Sequence, residues 1–141
     1  SGHLAQVAAD LLEAWLPRLC AGDYPRFPQD HEAATYAAKI ERSECELRCS
    51  RSSIEEYRRF LAVTPHPGAW IATKHGDLKL VEMNRTDRSV PAGQFLVDGG
   101  LFLGFAQGAL EVERLKVPGR QATTGLDFAH GFRIQTGDSA Q

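Results

Sequence analysis

Between Leu4 and Leu19, apolar residues Leu4, Val7, Leu11, Leu12, Trp15, Leu16 and Leu19 recur every three or four positions, which predicts one amphipathic helix. Gly22 follows as a C-terminal cap, and Pro17 removes an amide donor from the last turns. A single helix cannot bury its own stripe, so the partner is expected elsewhere in the fold or in a neighbouring domain. Residues 22–50, "GDYPRFPQDHEAATYAAKIERSECELRCS", sustain no period and carry two prolines and many charges. They predict a linker, longer than most connections inside a domain. Helical spacing returns in "SRSSIEEYRRFLAV", with Ser52 or Ser53 as N-cap and Glu55 and Glu56 in the first turn. Its predicted buried face is Ile54, Tyr57, Phe60 and Leu61.

The stretch "VTPHPGAWI", residues 63–71, closes that helix with a rigid corner, and the period then changes to two. Residues 69–74, 78–83, 94–97, 101–105 and 109–117 read as short strands separated by "HGD", "NRTDRSVPAG", "DGG" and "AQG". Five such strands predict a small, mostly antiparallel barrel or curled sheet. "TTGLDFAHGFR" predicts a final short helix, opened by Thr123 or Thr124 and packing Leu126, Phe128 and Phe132.

With 141 residues, 43% hydrophobic and 24% charged, the chain has the composition of one ordinary globular domain. Its net charge of -2 lacks the basic surplus common in nucleic-acid binders, which leaves room only for local patches. No apolar run approaches the roughly 20 residues of a membrane helix, and Ser1-Gly2-His3 has no signal-peptide character. The expected location is cytoplasmic, without a membrane partner. Cys20, Cys45 and Cys49 are then expected to be reduced, buried and unreactive. Cys45 and Cys49, with His31 upstream, lack a C-x2-C pair, so no metal site is expected. Asp30-His31-Glu32 reads as a solvated stretch of the linker.

Catalytic signatures are missing from the sequence. Gly99, Gly100, Gly104 and Gly108 are not followed by the Lys-Ser/Thr pair of a phosphate loop and read as turn and bulge glycines. Neither a nucleophile elbow nor an H-E-x-x-H zinc motif occurs, and the five histidines are scattered. Glu111 and Glu113 share one face of a strand, toward water. No catalytic residue is expected, and the chain alone is not expected to be an enzyme.

Taken in order, "PQDHEAATYAAKI", "SSIEEYRRFLAV", "TPHPGAW" and "GALEVERLKVPGRQATTGLDFAHGF" resemble the C-terminal domain of methionyl-tRNA formyltransferases and related formyltransferases. "LLEAWLPRLCAG" is similar to the last helix of that family's catalytic domain. The resemblance spans roughly Leu4 to Arg133 and implies an α+β, mostly β fold. The expected architecture is a small OB-like barrel with an N-terminal helix, a linker and short flanking helices. Its expected divisions are the helix at 1–22, an interdomain linker at 23–50, the barrel at 51–135 and a tail at 136–141.

The same resemblance implies that Pro65, Pro67 and Gly68 form a structural corner that aims the first strand. Physically, proline fixes its own φ and keeps the preceding residue out of the helical region, while glycine takes the reversal. The family's reaction moves a formyl group from formyltetrahydrofolate to an amine, using an asparagine, a histidine and an aspartate of the catalytic domain. This chain is therefore expected to hold no cofactor itself and to position a substrate, with its own N-terminal catalytic domain and tRNA as partners. Lys39 and Arg42 match basic linker residues of the tRNA enzymes, and Arg120 stands in a loop that is basic in them. In this sequence Gln121 stands beside Arg120, Leu47-Arg48-Cys49 replaces a segment ending in an acid and tryptophan, and His66 sits between the corner prolines.

Two alternatives differ in substrate or class. One is a formyltransferase C-terminal domain serving another amine, such as a nucleotide sugar or a carrier-bound substrate. The other is a stand-alone OB-like nucleic-acid-binding module that stacks bases on Trp70, Phe95, Phe102 or Phe105.

Overall fold

The computed structural model describes residues 2–140; Ser1 and Gln141, the outer ends of the first and last expected segments, lie outside them. The chain divides into two compact units, one reaching Ala37 and one beginning at Ala38.

The first unit is built on α1 (Gly2–Cys20), with Pro17 inside it and Gly22 at φ 71 after it. No residue of α1 is buried; Leu4, Leu11, Leu12 and Leu16 are all at least half exposed. Arg18 lies over the Trp15 ring and pairs with Asp23, which ties the end of the helix to the next residues. Asp30 accepts a hydrogen bond from the Glu32 amide at 3.0 Å, so Asp30-His31-Glu32 is a local turn.

The second unit is a mostly β half-barrel, the α+β OB-like architecture expected from the sequence. A single antiparallel sheet runs in the order β1-β2-β5-β4-β3, from β1 (Trp70–Thr73), β2 (Gly76–Thr86), β3 (Phe95–Val97), β4 (Leu101–Gly104) and β5 (Ala109–Lys116). The five strands fall where the period of two placed them. A sixth, β6 (Ala122–Thr124), pairs with the second half of β5 and was not foreseen, because three residues carry no readable alternation. Leu78, Leu80, Met83, Leu103, Leu110, Val112 and Leu115 point into one core, closed by Phe105 and Phe128.

Helix α2 (Ser53–Val63) is capped by Ser52, whose hydroxyl accepts from the Glu55 amide. Its buried face differs from the expected one. Ile54 and Leu61 are exposed, while Ser53, Glu56, Phe60 and Val63 are buried. The reason is Glu56, whose carboxylate accepts from the Arg48 amide at 3.0 Å and lies 3.6 Å from Arg51 and 3.4 Å from Arg59. Those partners meet the charge that would otherwise keep it in water, and they turn the helix by about one position.

Half of the segment expected to be linker belongs to the barrel unit. After a 3-10 turn at Arg42–Cys45, Cys45, Leu47 and Cys49 are buried, and the Leu47 amide donates to the Trp70 carbonyl at 2.8 Å. The stretch at 136–140 is also paired: Phe95 and Asp138, Gly137 and Phe95, and Ala140 and Gly93 exchange backbone hydrogen bonds. Helix α3 (Gly125–Phe132) starts at Thr124, which accepts from the Asp127 amide. Gly125 is required there, since a side chain would collide with the Val112 carbonyl of β5.

Candidate nucleic-acid interface

Far apart in sequence, Arg42 and Arg120 are brought to the same end of the barrel by the turn between β1 and β2. Arg42 donates to Asp77 at 2.7 Å and lies 4.8 Å from the Trp70 ring centroid, while the Trp70 indole N–H donates to the Arg42 carbonyl. Beside Asp77, Gly76 packs against Pro118, and the loop of Pro118 holds Arg120. Arg120 sits 5.2 Å from the centroid of Phe132, which stacks edge-on with His75 of the same turn. Each guanidinium is thus placed by an aromatic face, with its charge still at the surface. Lys39 is exposed in the extended stretch before the 3-10 turn, and Lys74 is exposed in the β1–β2 turn.

Three lysines escaped the sequence reading: Lys74, Lys79 and Lys116. Lys79 and Lys116 lie opposite one another in the register of β2 and β5, with Trp70 on the other side of Lys79. The corner stands beside this row. Both its X-Pro bonds, Thr64-Pro65 and His66-Pro67, are cis, and Gly68 has φ 105. The Gly68 amide donates to the Val63 carbonyl at 2.8 Å, which closes α2.

The stacking residues of the alternative module are not available. Phe95, Phe102 and Phe105 are buried, and Trp70 is half-buried beneath Arg42. Cys45 and Cys49 are buried as expected, whereas Cys20 is exposed on α1. Burial pushes the Cys49 thiol up from 9.0 to about 11, with the nearby Glu56 charge adding to the effect and a Gly93 backbone hydrogen bond opposing it. Among the described residues no three His, Cys, Asp or Glu side chains cluster as a metal site, and no helix is long and apolar enough to cross a membrane. The single asparagine, Asn84, donates to Glu113 at 2.6 Å on the face of β2 and β5. No histidine joins it there.

This architecture defines a half-barrel module with a basic end and, among its described residues, no assembled acid-base pair. Residues 39–133 match the family model "Formyl transferase, C-terminal domain", and the chain belongs to that family. It is 33% identical over 136 residues to a methionyl-tRNA formyltransferase of Sinorhizobium medicae, covering 94% of this chain and 43% of that protein. A methionyl-tRNA formyltransferase of Rhodococcus erythropolis is 34% identical, covering 99% of this chain and 46% of its own length. The chain therefore spans less than half the length of these relatives. HypX from Aquifex aeolicus, solved in complex with tetrahydrofolic acid, shares the fold with a TM-score of 0.72 at 18% identity, over 89% of this chain and 23% of HypX.

Proposed function

We propose that this chain is the non-catalytic, substrate-positioning C-terminal part of a formyltransferase whose amine substrate is methionyl-tRNA. The observation that carries the proposal is the end of the barrel at the β1–β2 turn, where Arg42, Lys74 and Arg120 lie around Asp77, with Lys39 exposed in the stretch that leads to Arg42. Contacts from such side chains to phosphates orient an RNA without reading its sequence. The names of the relatives support the choice of tRNA.

Formyltetrahydrofolate would be used elsewhere in the protein. The residues of this chain do not fit it: its one asparagine, Asn84, is committed to Glu113.

The test is a titration of the 141-residue chain with initiator tRNA at several salt concentrations. Binding should weaken linearly in log–log form, by roughly 0.7 to 0.9 per phosphate contacted. Replacing Lys39 and Arg120 together by Gln should lower that slope by roughly 1 to 2. A flat salt dependence would transfer the module to a formyltransferase acting on another amine.

A further inference from the structure

We propose that the cleft between the Pro-Gly corner and the β2–β5 pair is a phosphate-binding subsite. The cleft, about 260 Å³, is lined by Thr64, Pro65, His66, Lys79, Val81 and Lys116, with no carboxylate among its lining residues. Lys79 and Lys116 are direct cross-strand partners. Like charges placed so are destabilising unless something of opposite sign lies between them. No acid of the described residues does so, since every ion pair found involves arginine.

Three further features point the same way. First, the Lys79 stem lies across Gly68, where a Cβ would come 2.5 Å from Cε and 2.8 Å from Nζ, so the ammonium is held over the corner. Second, Thr64, a residue of the cleft wall, has a hydroxyl oxygen that is buried without a hydrogen-bond partner. Third, Val81 on β2 and Glu113 on β5 are both left over in a local bulge, because Leu80 pairs with Leu115, Glu82 with Arg114 and Met83 with Val112. Such a bulge re-aims the side chains beside it.

The cleft also adjoins the C-terminus of α2, whose dipole would repel an anion. Two of its carbonyls, Phe60 and Val63, are already engaged by the Thr64 and Gly68 amides. The charged residues that line the cleft are the lysine pair, Lys79 and Lys116. The chemistry is that of a phosphate group, from an RNA backbone or from a smaller phosphorylated substrate. Only the choice of RNA as its source rests on the function proposed above.

Amide resonances of the 15N-labelled chain should be followed while sodium phosphate replaces sodium chloride at constant ionic strength. Phosphate is expected to move Thr64, Lys79, Val81 and Lys116, and K79Q/K116Q should abolish the shifts while K74Q preserves them. Equal shifts with chloride, or shifts spread over every basic residue, would overturn the subsite and leave the lysines serving only the α2 terminus. A urea melt of the double variant separates loss of binding from loss of fold.

Titration of the same variants with tRNA then identifies the source. A salt slope lowered by roughly 1 to 2 in K79Q/K116Q assigns the subsite to the RNA backbone. An unchanged slope, with phosphate shifts still lost, supports the subsite for a small phosphorylated substrate and counts against tRNA there.

Discussion

The side chain of Lys79 crosses Gly68, where a Cβ would come 2.5 Å from its Cε and push the lysine aside. Gly68 also has φ 105, a conformation L-residues rarely adopt. Gly68→Ala should therefore destabilise the barrel by about 1 to 3 kcal/mol, seen as a lower urea midpoint with an unchanged slope. It should also displace Lys79 and weaken any phosphate response of the neighbouring amides.

Glu56 ties α2 to the segment before it through the Arg48 amide and two arginines. Glu56→Ala leaves the Arg48 amide without its acceptor and the Arg51 and Arg59 guanidinium groups without their counter-charge, and should cost about 2 to 4 kcal/mol by chemical denaturation. Glu56→Gln retains an acceptor oxygen and should cost less. Equal stability of the alanine variant and the parent would mean that the carboxylate does not hold the helix.

The Cys49 thiol, raised from 9.0 to about 11, makes stability fall at alkaline pH. Between those values the unfolded chain loses the thiol proton while the folded chain keeps it, so the folded state binds more protons and stability drops as pH rises. The loss should be absent below pH 9 and complete above about 11. Comparing urea midpoints at pH 8 and pH 10.5 for the parent and Cys49→Ala isolates it, since the other titrating groups are common to both. Iodoacetamide at pH 8 should label exposed Cys20 and spare Cys45 and Cys49 in the folded protein.

Trp70 is covered by Arg42, which both stacks on the ring and accepts its indole N–H through the main chain. In a Trp15→Phe background, Trp70 fluorescence should resist acrylamide, and Arg42→Ala should increase quenching. Strong quenching before the substitution would restore Trp70 as a stacking surface for bases.

Phe128 is buried between α3 and the sheet and meets both His75 and Phe132. Phe128→Ala should cost about 3 to 5 kcal/mol in a thermal or urea melt. Because Phe132 carries Arg120, the same substitution should loosen the basic end and reduce the tRNA salt slope.

Local chemistry was legible in the sequence. The strands at 70–73, 76–86, 95–97, 101–104 and 109–116 and the caps at Ser52 and Thr124 each follow from residues within a few positions. Periodicity and turn residues act at that range, and the order of these segments carried the family. What only the tertiary structure decided depends on partners distant in the chain. Glu56 is buried because Arg48, Arg51 and Arg59 surround it; Cys45, Leu47 and Cys49 are core because the segment pairs with Trp70; and Lys79 faces Lys116 because of the register of β2 against β5. Burial of a charge and the meeting of two like charges are properties of packing, and no local window of the sequence contains them.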